Sequence, residues 1–147
     1  MERDPAWLLE FGRNYHSQAG EDGIVEKILA LLPANDRWCV EFGAWDGLHR
    51  SNSRHVVEDR GCSAVLIEGS SERFADLRRN YAANPRVTAL NAFVGFTAAD
   101  GLDALLASLP IPQDFDLLSI DIDGNDYHVW KAVAKYRPKV VCIEFNP

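Results

Sequence analysis

No stretch of this 147-residue chain approaches the ~18 to 20 consecutive apolar residues of a membrane span. The start, Met1-Glu-Arg-Asp-Pro5, has neither the charged nor the apolar region of a secretion signal. A cytoplasmic protein without a membrane partner is the expectation. Basic runs are also missing: 15 Lys and Arg against 22 Asp and Glu leave a net charge of −7, so nucleic acid is not an expected partner. Cysteine is scarce and scattered, at Cys39, Cys62 and Cys142, without Cys-x-x-Cys or Cys/His spacing for zinc; free thiols buried in apolar runs are expected. Neither the Gly-x-Gly-x-x-Gly fingerprint of dinucleotide binding nor the Gly-x-x-x-x-Gly-Lys-Ser/Thr phosphate loop occurs, which argues against nicotinamide and nucleotide-triphosphate chemistry.

The composition that remains, 47% hydrophobic and 25% charged, is that of one globular domain over residues 1–147, with residues 1–20 as an N-terminal arm. Helical spacing of Ile24, Ile28, Leu29 and Leu32 predicts a helix from Glu21 to Leu32. Strands are predicted at Trp38 to Phe42, Ala64 to Glu68, Val87 to Val94, Leu117 to Ile122 and Val140 to Phe145. Between them helices are expected at Ser51 to Asp59, around Phe74, Leu77 and Tyr81, at Leu102 to Leu109 and at Tyr127 to Tyr136. Strands that alternate with helices and are continuously apolar imply an α/β, doubly wound, mostly parallel sheet covered on both faces. Ligands of such sheets sit beyond the carboxyl ends of the strands, where the strand order reverses. Acids gather at those ends: Glu41, Glu68, Asp121 with Asp123, and Glu144 beside Asn146.

The first strand breaks in Val40-Glu-Phe-Gly-Ala-Trp-Asp-Gly47. Gly43 and Gly47 admit backbone conformations closed to other residues and a close ligand approach. Glu41 and Asp46 make this loop acidic and unsuited to phosphate. A cationic ligand rich in hydroxyls and amines fits better, and S-adenosylmethionine, a sulfonium with an amino acid tail, is one; Asp46 is then an expected cofactor contact. Glu68, about twenty residues on, stands where nucleoside-binding sheets put the acid that accepts ribose hydroxyls. In Asp121-Ile-Asp123-Gly-Asn-Asp126 the first two carboxylates point to the same side of an extended chain, suited to general-base work or to a hard cation such as Mg2+ with Glu144 and Asn146, or the last two serve as helix caps. In the arm, either Ser17 or Asp22 simply caps the first helix, or the arm folds over the open end of the sheet and lets Gln18 or Glu21 touch the cofactor. Trp45 either stacks on adenine or plugs the sheet end, and His49 and His128 are nearby titratable groups.

In order, Glu41-Phe-Gly43-Ala-Trp-Asp-Gly47, Leu66-Ile-Glu68 with Phe74-Ala-Asp-Leu77-Arg-Arg-Asn80, Asp121-Ile-Asp123-Gly124-Asn-Asp126 and Val141-Cys-Ile-Glu144 resemble the FkbM-type methyltransferases. The resemblance runs from about Tyr15 onward. It implies a Rossmann-like sheet of the class I methyltransferase type and O-methylation of a sugar or natural-product hydroxyl, with a glycosylated small molecule as acceptor. It further implies that Glu41, Gly43 and Gly47 hold the methionine part of the cofactor, that Glu68 binds its ribose, that Asn91, Ala92 and Phe93 flank its adenine, and that Asp121 lies near the sulfonium. Family members carry aspartate at Glu41, glutamates at Asp123 and Asp126, and lysine near Ser119. They also continue past the fifth strand, so the chain reads as truncated there. The fifth strand is then an exposed edge open to a homodimer partner. The alternative is a non-catalytic cofactor-binding module that needs a partner chain or further C-terminal elements.

Overall fold

The computed structural model describes residue 4 and residues 6–145. Five strands, β1 (Trp38–Phe42), β2 (Ser63–Glu68), β3 (Val87–Asn91), β4 (Leu117–Ile120) and β5 (Val140–Ile143), form one sheet in the order β3-β2-β1-β4-β5. Every pairing is parallel. Helix α1 (Glu21–Leu31) precedes β1, and α2 (Arg54–Glu58), α3 (Ser71–Asn80), α4 (Leu102–Leu106) and α5 (Asp126–Ala132) supply the crossovers.

The central strands β1, β2 and β4 are buried on both faces, as parallel strands must be when helices cover each side, while β3 and β5 at the sheet edges are only partly buried. Cys39, Ala64, Leu66 and Leu117 pack under Val25 and Leu29 of α1, Val56 and Val57 of α2, and Leu77 and Tyr81 beside α3. Val40, Phe42, Val65, Ile67, Leu118 and Ile120 face Leu102 and Leu106 of α4, Val129 of α5, and Phe115 and Tyr136. Alternate residues of each strand therefore serve alternate cores. The chain moves outward from β1 to β3, then returns to lay β4 on the other side of β1. That reversal opens a crevice beyond the carboxyl ends of β1 and β4.

The opposite, amino-terminal pole is closed by one buried acid. Asp116 accepts the N–H groups of Asp36 and Arg37 at 2.9 and 2.6 Å and the Lys139 ammonium at 2.7 Å, tying together the segments that enter β1, β4 and β5. Burial alone lowers the Lys139 pKa, but its bonds to Asp116 and Asp36 outweigh this and raise it.

Several elements are shorter than hydrophobic periodicity predicts, and at α2, β4 and α5 hydrogen bonds involving side chains are the cause. Residues 51–53 stay outside α2 because Ser51 and Ser53 donate their hydroxyls to Glu41. β4 stops at Ile120 because the Asp126 carboxylate takes the N–H groups of Ile122 and Gly124, each at 2.9 Å, and turns the chain. α5 stops at Ala132 because Asp103, on α4, accepts the N–H groups of Ala134 and Lys135 at 2.9 and 2.8 Å. β3 ends at Asn91 and β5 at Ile143, and a short 3-10 turn at Trp7–Phe11 was not foreseen. The arm is pinned by Asp22, whose Oδ2 accepts the N–H groups of Tyr15, His16 and Ser17 at 2.6 to 2.8 Å.

Gly47, expected to admit ligand, instead serves packing. Its φ is +74°, and a Cβ there would lie 2.5 Å from the Tyr81 ring and 2.7 Å from Leu77. Gly47→Ala should therefore cost about 2 to 4 kcal/mol in urea unfolding, from overpacking added to a left-handed backbone. Gly61→Ala, at φ +67° with only Arg37 near at 3.4 Å, should cost about 1 to 2 kcal/mol.

Candidate functional site

A cleft of about 650 Å³ lies beyond the carboxyl ends of the strands and is lined from β1, β2, α3, the segments after β1, β2, β3, β4 and β5, and the arm. Its floor is the place where β1 and β4 close on each other. Gly43 has φ +75°, and a Cβ at this position would collide with the Asp121 carbonyl, so only glycine lets the two strand ends meet. The Asp121 N–H completes the junction by donating to the Phe42 carbonyl at 3.3 Å.

Glu41 points to the other side of β1 from Phe42 and is beside Ser119 in the β1–β4 register. Its carboxylate is 4% exposed and accepts from Ser51 Oγ at 2.6 Å, Ser53 Oγ at 2.7 Å, the Asn52 N–H at 2.9 Å and Ser119 Oγ at 3.3 Å. Burial raises its pKa more than these bonds lower it. Glu41 contributes to the cleft wall, and these four donors use it to clamp the loop after β1 to the sheet. Serine at position 119 is the matching donor for a glutamate at 41.

Glu68, 6% exposed, ends β2 with one backbone donor on each oxygen: the Trp45 N–H at 2.8 Å and the Ser70 N–H at 2.7 Å. A carboxylate oxygen has two lone pairs, so each keeps one acceptor direction. Trp45 is held at φ +52°, 43% exposed, with the Arg73 guanidinium 4.8 Å from its ring. Ala92 and Phe93 line the cleft, and Phe93, 82% exposed, lies against Gly69. Gln18 reaches the wall from the arm.

Asp121, Asp123 and Glu144 bring carboxylate oxygens within 4.8 Å of one another, close enough to share a proton or a cation. Burial first, then the charge of Glu144 and a hydrogen bond to it, then Asp123 and Asp126 push the Asp121 pKa up to about 6. Asp126 is turned away into its own loop as a backbone acceptor. Asn146, expected as a fourth oxygen ligand, lies outside the described residues.

Three expected cofactor contacts are absent from the cleft wall among the described residues: Asp46, Gly47 and Asn91. Asp46 faces its own turn, where it accepts the N–H groups of Leu48 and His49. Gly47 lies under α3. The Asn91 amide donates to the carbonyls of Glu68 and Gly69 at 2.8 and 3.3 Å, bracing the β2–β3 ends. Conversely, Arg50, Arg73 and His49 line the cleft, and of these only His49 was singled out from sequence. The Asp-x-x-His spacing in Asp46-Gly-Leu-His49 carried a legible signal, since Asp commonly accepts backbone N–H groups two and three residues on.

No protein-family model and no curated protein matches the sequence. Solved structures match the fold. A candidate O-methyltransferase from Klebsiella pneumoniae superposes with a TM-score of 0.53 at 21% identity, covering 94% of this chain and 63% of that one. A SAM-dependent methyltransferase from Thiobacillus denitrificans, in complex with S-adenosyl-L-homocysteine, gives 0.50 at 11% identity over 97% of this chain and 56% of that one. The glycopeptide N-methyltransferase MtfA complexed with S-adenosylmethionine gives 0.51 at 16% identity over 86% and 53%. The chain thus has the Rossmann-like α/β fold of class I methyltransferases and spans little more than half the length of these three chains. No helix among the described residues is long and apolar enough to cross a membrane.

The raised Asp121 pKa has a stability consequence. Between its ordinary value of 3.8 and about 6 the folded protein binds more protons than the unfolded chain, so this group lowers stability as pH rises through that window. Asp121→Asn should therefore raise stability at pH 7 to 8 by about 1 kcal/mol, allowing for the solvent that still screens the group. In thermal melts the difference should disappear below about pH 4.

Proposed function

We propose that this chain binds S-adenosylmethionine in the cleft and acts as a methyltransferase of the FkbM type on an oxygen nucleophile, a sugar or natural-product hydroxyl of a glycosylated small molecule. The observation that carries the reading is Glu68. It is a buried carboxylate, held rigid by two backbone donors, with acceptor directions left over at the end of β2 and next to the strand reversal. That is the chemistry two vicinal ribose hydroxyls require.

The other walls fit the same ligand. Trp45 and Phe93 present exposed rings suited to adenine, Gly43 lets the β1 and β4 ends close into the cleft floor, and Gln18 adds an amide from the arm. The carboxylates of Asp121, Asp123 and Glu144 suit a cationic sulfur and an ammonium while opposing a pyrophosphate. When bound, the cofactor supplies a methyl group made electrophilic by its positively charged sulfur. The chain's own contribution is orientation, together with negative charge at the end of β4. Above about pH 6 Asp121 is ionised and able to take a proton from an acceptor hydroxyl, with Asp123 beside it. A magnesium ion on Asp121, Asp123 and Glu144 is a subsidiary reading, supported by the 4.8 Å grouping.

Isothermal titration with S-adenosylhomocysteine tests the cofactor site. Wild-type chain should bind, and Glu68→Ala should bind at least about tenfold more weakly, the loss of two charge-assisted hydrogen bonds. A folded wild-type chain that gives no heat would end the reading. Repeating the titration with magnesium should change the heat only if the carboxylate cluster takes the ion.

The second reading, a cofactor-binding module completed by another chain or by further C-terminal elements, is supported by the partial coverage of the structures it resembles and by the position of β5 at the sheet edge. It predicts homodimers through β5. Light scattering after size-exclusion chromatography that returns the mass of a monomer would remove the dimer.

A further inference from the structure

The reading above leaves the pairing of Asp46 with His49 unused. Asp46 is 9% exposed and its carboxylate is fixed at both oxygens. Oδ1 accepts the N–H groups of Leu48 and His49, each at 2.9 Å, while Oδ2 lies 2.5 Å from Nδ1 of the His49 ring. Burial raises the Asp46 pKa, but the bonds from His49 and Leu48 outweigh it and hold the carboxyl below its ordinary value. A carboxylate at Nδ1 selects the tautomer with the proton on that nitrogen, which leaves the Nε2 lone pair on the far side of the ring. Among the described residues Nε2 has no hydrogen-bond partner. The ring is 75% exposed and lines the same cleft as Glu68 and Asp121. The groups around it are Asp46 and Trp45 of its own turn, Arg50 next in the chain, and Arg73 of α3, which reaches Trp45.

We propose that His49 is the general base for the acceptor hydroxyl and Asp46 its positioning residue, a conclusion that rests on the cofactor reading above. As the acceptor oxygen forms its bond to the methyl carbon, the carbon–sulfur bond breaks and its electron pair stays on sulfur, turning the sulfonium donor into a thioether. The acceptor's proton passes to Nε2, and Asp46 holds the resulting imidazolium. The proton then leaves to solvent. His49 thereby takes the proton-accepting role in place of Asp121, which lies beside Glu144 and balances the positive donor from the β4 side. An imidazole oriented by a buried carboxylate is a recurrent solution for this proton transfer, and the carboxylate acts by fixing tautomer and direction.

The test needs no acceptor. Chain carrying 15N-histidine is titrated by NMR, free and saturated with S-adenosylhomocysteine or with sinefungin, which bears an amine where the sulfonium methyl stands; His49→Gln assigns the signal. Free wild type should show the Nδ1–H tautomer. In Asp46→Asn the amide oxygen is retained by the two backbone donors, so the NH2 group meets the ring and the tautomer should reverse. The sinefungin amine, placed where the methyl is delivered, should move the ring 15N signals of His49 relative to the S-adenosylhomocysteine complex. Identical His49 ring signals in the two complexes, or an Nε2–H tautomer in the wild type, would overturn the inference while leaving the cofactor site standing. Absence of binding by both ligands, seen separately as absence of heat, would remove the cofactor reading and this inference with it.

Discussion

The buried carboxylate of Glu41 is the constraint around which the carboxyl end of this sheet is organised. A charge taken out of water is costly unless donors surround it, and here two serine hydroxyls, a backbone N–H and the Ser119 hydroxyl do so. Because three of the four donors come from residues 51–53, satisfying Glu41 also decides where the chain runs after the first glycine turn. The turn itself, from Gly43 to Arg50, is suspended between that anchor and the β1 strand end. Trp45, Asp46 and His49 take their directions from it.

The two poles of the sheet use acids for opposite ends. Asp116, at the amino pole, is enclosed by two backbone donors and the Lys139 ammonium, and functions as a knot between three strand entries. At the carboxyl pole the acids are less completely matched: Glu68 keeps acceptor capacity, and Asp121, Asp123 and Glu144 confront one another without a cation among the described residues. Solvent screens the exposed Asp123 and Glu144, and a cationic ligand would offset the repulsion that remains at Asp121. This asymmetry between a neutralised pole and an unneutralised one supports the placement of the ligand at the β1–β4 reversal.

Much of the architecture was legible in the chain. The alternation of apolar runs with 3.6-residue periodicity led to five parallel strands, and β1 was predicted at the bounds it has. Glu68 and Gly43 stood out because a strand ending in an acid and a strand breaking at glycine are both local patterns. Helix lengths were overestimated wherever a distant side chain captured the backbone. Asp103 accepts the N–H groups of residues 134 and 135, and nothing in the sequence of either segment announces a bond across that separation.

Local patterning therefore determined the layers of this protein, the glycine junction and the acidic character of the strand ends, since each rests on the geometry of a few consecutive residues. Only the tertiary structure decided which of the polar groups look into the cleft. Gly47 went to the packing of Tyr81, Asn91 to the β2–β3 brace and Asp46 to its own turn, while His49, Arg50 and Arg73 came to the wall. The physical reason is that a side chain's direction follows the donors and the free volume around it, and those are supplied by elements far away in the chain.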